Sequence, residues 1–240
     1  MTADRQIEVL YLYPDEMNIY GDRGNLLAVV RRLEWHGYRP ALSYHHPGEP
    51  FPKNVDVVVG GGGQDSGQVD VEDDLQRIGD DLHDLADKNV PMLAVCGMYQ
   101  LFGRFFRTHD GRVIRGIGIF DAETRGQTRR LVGNVVVRTR LGEVVGYENH
   151  SGQTFLGADA QPLGTVVKGF GNNTTDDTEG AVYKSVVGTY LHGSLLPKNP
   201  ALADALIEQA AKNRFGEFVG RAIDDTLATK AREAAKRRPQ

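Results

Sequence analysis

The single cysteine of the chain, Cys96, stands where a nucleophile is useful. The apolar run 90–95 predicts a buried strand, and a helical pattern follows it. A thiol at such a junction projects over the carboxyl edge of an α/β sheet, where ligands bind, and the helix N-terminus stabilises its thiolate. The alternative is a buried structural cysteine. A lone cysteine excludes an internal disulfide and a Cys-based zinc site.

A thiol nucleophile needs a base, and the chain has seven histidines. His36, His45, His46 and His83 fall in polar loops or on helices and are expected at the surface, and His109 falls in a turn. The remaining candidates are His150 and His192. Position favours His192, because it follows an apolar strand directly and is next to a glycine.

The four glycines at 60–63 end a neighbouring predicted strand. Backbone without side chains can approach a ligand and direct N–H groups at a developing oxyanion. We therefore predict an oxyanion hole from Gly62, Gly63 and Gly97, with a flexible turn as the alternative. A phosphate cradle is a rival, but neither G-x-x-x-x-G-K-[ST] nor a fitting G-x-G-x-x-G occurs, so no ATP or dinucleotide site is recognisable.

Two adjacent arginines, Arg129 and Arg130, are candidates for binding a substrate carboxylate. A guanidinium at the mouth of a site binds a carboxylate bidentately. The alternative for each arginine is a solvated surface charge, and residue type alone does not separate the two.

Strand patterns alternate with helical patterns at a spacing typical of βαβ units. Apolar runs predict strands at 7–13, 41–44, 55–59, 90–95, 165–170 and 181–190, and helices are predicted at 25–36, 69–89, 97–106 and 201–214, with another from 217 onward. The fold class is therefore α/β, a mostly parallel sheet flanked by helices. Strands at 117–120, 132–140 and 144–147 predict an additional β-rich region, antiparallel at the sheet edge. We expect one domain over 1–214 and a C-terminal helical extension over 215–240.

Composition excludes several function classes. The formal net charge of −4 gives no basic face for nucleic acid. No apolar run approaches the ~18 residues of a membrane span, and the N-terminus lacks the apolar core of a signal peptide. We therefore expect a cytoplasmic protein without a membrane span.

Several motifs together resemble class I (triad-type) glutamine amidotransferases of the cobyric-acid-synthase-like branch, which have a flavodoxin-like fold. The stretches are Asn18-Ile19-Tyr20-Gly21-Asp22-Arg23-Gly24-Asn25, Gly61-Gly62-Gly63-Gln64-Asp65, Val95-Cys96-Gly97-Met98-Tyr99-Gln100, Tyr147-Glu148-Asn149-His150, Gly171-Asn172-Asn173, Gly188-Thr189-Tyr190-Leu191-His192-Gly193 and Leu196-Pro197-Lys198-Asn199-Pro200. The resemblance covers about 7–214.

The resemblance implies that Cys96 attacks the side-chain amide of L-glutamine with His192 as base, and that Arg130 and Gln100 bind the substrate. Within the branch, the motifs are most similar to glutaminase subunits that form a heterodimer with a Mur-ligase-like subunit, MurT. That partner would use the ammonia, with ATP and Mg²⁺, to amidate the D-glutamate of the lipid II stem peptide to D-isoglutamine. The resemblance implies no cofactor and no metal in this chain.

One departure concerns the acid of the triad. The family carries it two positions after the histidine, where this chain has Ser194. We expect the partner to supply the carboxylate, with Glu148 as the internal alternative. The rival functions are amidation of a corrinoid or another carboxylate, a flavodoxin-like cysteine hydrolase, and a non-catalytic module that binds a small anion.

Overall fold

The computed structural model describes residues 5–192 and 195–238. In chain order its elements are β1 (Gln6–Leu12), α1 (Arg23–His36), β2 (Arg39–His45), β3 (Val57–Gly60), α2 (Asp65–Arg77), α3 (Gly79–Asp87), β4 (Met92–Val95), α4 (Gly97–Phe102), β5 (Phe105–Arg107), β6 (Val113–Arg115), β7 (Ala122–Thr139), β8 (Gly142–Leu156), β9 (Gly164–Lys168), β10 (Thr178–Glu179), β11 (Ala181–Tyr183), β12 (Val186–Thr189), α5 (Leu195–Lys198), α6 (Pro200–Phe215) and α7 (Thr226–Lys236).

The main sheet has the order β11-β12-β4-β3-β1-β2 and is parallel except for the edge strand β11. Strands β3, β4 and β12 are buried at every residue, which is why they appear in the sequence as continuous apolar runs. The predicted α/β class, with a mostly parallel sheet flanked by helices, is confirmed.

The β-rich region forms a second sheet, which corrects the prediction that it lies at the edge of the first. Its order is β10-β9-β7-β5-β6, and β8 pairs with β7. The long antiparallel hairpin of β7 and β8 dominates it, with an irregularity between Gly126 and Leu131. Beyond this irregularity the hairpin reaches the main sheet, because Tyr147 forms an isolated bridge with His192.

Five predicted elements differ from the structure. The strand expected over 181–190 is two antiparallel strands, β11 and β12, because the chain turns at Lys184, which has a φ of 51°. The helix expected over 69–89 is two helices, α2 and α3, because Gly79, a poor helix former, stands at the break. Helix α4 ends at Phe102 rather than 106, and β5 follows it. Residues 117–120 are not a strand. The second C-terminal helix begins at Thr226 rather than 217.

The C-terminal segment packs back on the rest of the chain. Arg32 of α1 is buried and forms ion pairs with Asp204 of α6 and Asp225, each at 2.6 Å. Ala235 of α7 packs against Val136 and Val145 of the β7–β8 hairpin. The division of the chain at residue 214 stays a prediction. None of the described helices is long and apolar enough to cross a membrane.

Candidate active site

Cys96 lies between β4 and α4 in a backbone conformation that side chains rarely adopt. Its φ is 51° and its ψ is −106°. Such strain costs about 1–3 kcal/mol and persists where surrounding structure enforces it. Here the Cys96 N–H donates to the Thr189 carbonyl at 2.8 Å, which ties the turn to the end of β12. The thiol is 6% exposed, and it borders a pocket. This placement corresponds to the strand-to-helix junction predicted from the sequence.

His192 follows the neighbouring strand, so its ring reaches the same edge of the sheet as the thiol. Strand β12 runs parallel to β4 with Thr189 opposite Val95. The His192 N–H donates to the Tyr147 carbonyl at 2.8 Å, and the Tyr147 N–H donates back at 3.2 Å. A methyl group built on Gly62 would contact both His192 Cε1, at 2.8 Å, and Cys96 Cβ, at 3.2 Å. The cysteine and the histidine therefore border the same glycine.

The third polar member of this cluster is Asp22, which the sequence analysis did not single out. Both oxygens of its fully buried carboxylate lie 3.2 Å from His192 Nδ1. The chain thus supplies a carboxylate for His192 itself, which corrects the expectation that one has to come from the partner. Ser194 lies outside the described residues.

Glu148, the internal alternative, has other partners. Its carboxylate accepts hydrogen bonds from the N–H groups of Phe170 and Gly171, each at 2.9 Å. Asp22 could have been found within the quoted motif 18–25, but no spacing rule links a residue there to one 170 positions later.

The electrostatics of the cluster favour a charged imidazole. Burial lowers the pKa of His192, but the adjacent Cys96 sulfur and the Asp22 carboxylate raise it more, so that the pKa is about 10. Nδ1 is the nitrogen facing the carboxylate, which leaves Nε2 for proton transfer. The arrangement can therefore hold an imidazolium beside the Cys96 sulfur.

Two glycines of the run 60–63, Gly62 and Gly63, have different surroundings. The Gly62 N–H donates to Asp22 Oδ2 at 2.8 Å, so the prediction that this amide faces an oxyanion is wrong. Gly63 lines the pocket beside Cys96. A methyl group on Gly97 would lie 2.9 Å from the Gly63 nitrogen, so side chains are excluded where these two backbones meet. Gly97 also opens α4, and the first N–H groups of a helix have no partner within it.

The pocket over the thiol has a volume of about 370 Å³. Both residues that were expected to bind substrate, Gln100 and Arg130, line it. The Gln100 side chain is buried, accepts a hydrogen bond from Gln68 at 2.9 Å and donates to the Tyr190 hydroxyl at 3.1 Å. A fixed amide of this kind forms one wall of the pocket.

The two adjacent arginines have different surroundings. Arg130 donates from Nε to Asn149 Oδ1 at 2.5 Å and from Nη2 to the Tyr20 hydroxyl at 2.8 Å. Arg129 instead lies over the Phe170 ring, 4.8 Å from its centroid, and does not line the pocket. Of the two, the structure places Arg130 in reach of a ligand.

His150, the rival base, also lines the pocket, and the Glu148 carboxylate lies 3.9 Å from its Nε2. Its Nδ1 donates to the Gly152 carbonyl at 2.6 Å, and its ring stacks on Tyr190 at 3.6 Å. Burial lowers its pKa more than the Gly152 carbonyl and the Glu148 carboxylate raise it. The lowered pKa favours the neutral form of the His150 imidazole. The structure also buries His36 and His45, which were expected at the surface, through bonds to Asp204 and Asp74.

Comparison with known proteins connects this geometry to a family. Residues 8–200 match the model of the CobB/CobQ-like glutamine amidotransferase domain. The chain belongs to this family. It is therefore a glutamine amidotransferase, and the resemblance found in the sequence is confirmed.

Similar full-length relatives include two proteins named lipid II isoglutaminyl synthase (glutamine-hydrolyzing) subunit GatD. The Staphylococcus aureus N315 protein is 34% identical over 95% of this chain and 94% of its own length. The Streptococcus pneumoniae R6 protein is 36% identical over 89% and 84%. A probable cobyric acid synthase from Methanothermobacter thermautotrophicus is 36% identical over 48% of this chain and 25% of its own length.

Solved structures agree on the fold. A Thermotoga maritima glutamine amidotransferase superposes with a TM-score of 0.56 at 17% identity, covering 96% of this chain and 93% of its own. The structure of PurLQS from the same organism gives a TM-score of 0.54 at 14% identity, covering 88% and 99%.

Proposed function

We propose that this chain is the glutaminase subunit of a lipid II isoglutaminyl synthase. It would hydrolyse L-glutamine to glutamate and ammonia with Cys96 as nucleophile, His192 as acid and base, and Asp22 as the residue that orients His192. The observation that carries the proposal is the contact of the Asp22 carboxylate with His192 Nδ1, 3.2 Å apart, beside the single cysteine of the chain. The likeness to the two GatD subunits, over 95% and 89% of this chain, supports the choice of pathway.

In the first half of the reaction, the Cys96 thiolate attacks the side-chain amide carbon of glutamine. The carbonyl π electrons move to oxygen, and the N–H groups of Gly63 and Gly97 stabilise the oxyanion. His192 then gives its Nε2 proton to the amide nitrogen, the C–N bond breaks, and ammonia leaves a thioester on Cys96. Arg130 binds the glutamine α-carboxylate, and Gln100 forms the wall beside the amide.

In the second half, water resolves the thioester. His192, now neutral, removes a proton from the water as its oxygen attacks the acyl carbon. The tetrahedral intermediate collapses, glutamate leaves, and the thiolate and imidazolium are restored. The Asp22 carboxylate stabilises the imidazolium and fixes the proton on Nδ1 throughout.

The ammonia needs an activated acceptor, because a carboxylate does not react with ammonia unaided. We propose that a Mur-ligase-like subunit, MurT, forms a heterodimer with this chain and makes an acyl phosphate from ATP with Mg²⁺. The ammonia then converts the D-glutamate of the lipid II stem peptide to D-isoglutamine. On this proposal no cofactor binds to the chain itself, and both subunits work in the cytoplasm. The GatD subunits match 95% and 89% of this chain, whereas the Methanothermobacter thermautotrophicus cobyric acid synthase matches 48%. This difference favours lipid II over a corrinoid as the acceptor.

The experiment that tests the proposal is reconstitution with purified lipid II. The chain, the Mur-ligase-like subunit, ATP, Mg²⁺ and L-glutamine should convert stem-peptide D-glutamate to D-isoglutamine, measured as a 1 Da mass decrease. A Cys96→Ala chain should fail with glutamine yet support amidation when ammonium chloride is added. Ammonia release without amidation of lipid II, while a corrinoid carboxylate is amidated, would contradict the cell-wall function and leave the glutaminase intact.

A further inference from the structure

Tyr20 stands between the proposed base and the proposed substrate-binding arginine. The centroid of its ring lies 4.8 Å from that of His192, edge-on at 62°. Its hydroxyl accepts a hydrogen bond from Arg130 Nη2 at 2.8 Å. The side chain lines the pocket and is 41% exposed, whereas the His192 side chain behind it is 1% exposed.

Hydrogen bonds with Gly62 hold the chain in place on both sides of Tyr20. The Ile19 N–H donates to the Gly62 carbonyl at 3.0 Å, and the Asp22 carboxylate accepts from the Gly62 N–H at 2.8 Å. Tyr20 itself has a φ of 62°, an uncommon value for a bulky residue. Strain of this kind persists where neighbours enforce it, and it concentrates at functional sites.

We propose that Tyr20 is a positioning residue with two separable parts, a hydroxyl that orients the Arg130 guanidinium and a ring that keeps His192 against Cys96 and away from water. The proposal deepens the glutaminase function proposed above and rests on it for its kinetic readout. It assigns a role within the motif 18–25 that neither nucleophile, base nor acid accounts for.

The hydroxyl part follows from the surroundings of Arg130. This exposed side chain has many rotamers, and ordering it on binding costs conformational entropy. Asn149 takes the Nε donor and one Nη2 donor, at 2.5 and 3.1 Å, and Tyr20 takes Nη2 from the opposite wall of the pocket. Three hydrogen bonds, two to Asn149 and one to Tyr20, hold the guanidinium before substrate arrives. Loss of the Tyr20 hydroxyl should therefore weaken substrate binding and leave the chemical step unchanged.

The ring part follows from the burial of His192. Asp22 and Cys96 hold the imidazole through charge, and charge interactions weaken when water reaches them. The Tyr20 ring, with its centroid 4.8 Å from that of His192, covers the imidazole from the pocket side. Without the ring, water reaches the imidazolium, and the hydrogen-bond geometry with Asp22 loosens.

The test compares Tyr20→Phe with Tyr20→Ala in steady-state glutamine hydrolysis, using the full chain alone and with its synthase subunit. Tyr20→Phe should raise KM about 3- to 10-fold with kcat unchanged, because it removes one hydrogen bond to a charged group at a half-exposed site. Tyr20→Ala should raise KM equally and also lower kcat about 10-fold. Tyr44, which is 43% exposed and edge-on to Tyr11 at 6.4 Å, gives the matched control pair Tyr44→Phe and Tyr44→Ala, which should change neither constant.

Two results would overturn the proposal: equal kcat in both Tyr20 variants, or unchanged KM in Tyr20→Phe. A wild-type chain that releases no ammonia from glutamine would instead overturn the proposed function. The ring part is then measured through alkylation of Cys96 by iodoacetamide at pH 7. Slower alkylation of Tyr20→Ala than of Tyr20→Phe supports the positioning role despite the more open pocket, and equal or faster alkylation contradicts it.

Discussion

The pocket has two walls that come from different sheets and differ in character. The main-sheet wall carries Cys96 at the pocket, with His192 and, from the loop before α1, Asp22 behind it, all of them buried. The second-sheet wall carries Arg130, Asn149 and His150 on the β7–β8 hairpin, and its polar groups bond mainly to neutral partners. The charged groups of the main-sheet wall therefore lie against one another, whereas the hydrogen bonds of Arg130 in the other wall go to neutral oxygens and leave its charge available to a ligand.

The histidines of the two walls, His192 and His150, show what this difference means. Each ring donates or presents Nδ1 to an oxygen, but the oxygen is a carboxylate for His192 and a backbone carbonyl for His150. The pKa of His192 is accordingly raised, and that of His150 is lowered. Burial lowers the pKa of both histidines, so the charged groups beside each ring decide whether its pKa is raised or lowered overall. We therefore expect changes in the main-sheet wall to lower kcat and changes in the hairpin wall to act mainly on KM.

The largest effect is expected for Cys96→Ala. Because the thiol forms the covalent intermediate, glutamine hydrolysis should fall at least about 1,000-fold. The measurement is ammonia release from L-glutamine, with circular dichroism and thermal unfolding as controls for the fold. Residual hydrolysis close to the wild-type rate would assign the nucleophile to another residue.

The comparison of the two histidines is sharpest in His192→Ala against His150→Ala. Nucleophile and base act as a unit, so His192→Ala should lower kcat about 1,000-fold. His150→Ala should lower it less than about 10-fold per folded molecule, because no carboxylate lies within hydrogen-bond distance of this imidazole to stabilise a proton that it accepts. Thermal unfolding should show a loss of stability for His150→Ala, since its ring stacks on Tyr190. The reverse order of kcat would make His150 the base.

Cys96 and His192 of the main-sheet wall were predictable from the sequence, because the apolar pattern of the strand before each residue is a local feature. Cys96 and His192 each end a continuous apolar strand, and parallel strands bring their carboxyl ends to one edge. Asp22 was missed because it lies in an irregular loop, where no periodicity indicates which way a side chain points. The different role of Gly62 was missed for the same reason, since its N–H partner is that aspartate.

The next effect in size is expected for Asp22→Asn, which should lower kcat about 10- to 100-fold. The carboxylate is one of the groups that raise the pKa of His192 to about 10 against the effect of burial. The imidazolium is present below this pKa and is lost as pH rises through it, so the alkaline limb of the kcat profile should move to lower pH in Asp22→Asn. A profile that superposes on the wild type would show that Asp22 does not act on His192.

The smallest effect is expected in the hairpin wall, for Arg130→Ala. This exposed arginine gives the α-carboxylate one charge-assisted interaction, so KM should rise about 10-fold, the lower end of what such a bond provides, with kcat little changed. Arg129→Ala is the matched control, because its guanidinium lies over Phe170 outside the pocket. Equal KM values for the two variants, or a larger effect at Arg129, would remove Arg130 from the substrate site.

The second sheet was the least predictable part of the fold. Strands β7 and β8 are 18 and 15 residues long. The sequence pattern predicted only the parts next to the hairpin turn, 132–140 and 144–147, because polar residues at 125–130 interrupt the alternation. Their pairing is set by contacts between distant parts of the chain rather than by local propensity. Arg129 and Arg130 lie in the irregularity between Gly126 and Leu131, where no alternation indicates which side chain faces the pocket, so the residues alone left both open.

The most direct test of a Cys96–His192–Asp22 site uses 6-diazo-5-oxo-L-norleucine, a glutamine analogue that traps the nucleophile of a glutaminase. The purified chain is incubated with the analogue near neutral pH and examined by intact mass and peptide mapping. We expect one adduct, on Cys96, that forms much more slowly in His192→Ala and Asp22→Asn and is delayed by added L-glutamine. An unmodified Cys96 after long incubation, or an adduct on another residue that glutamine still delays, would contradict a Cys96–His192–Asp22 site contained in one chain.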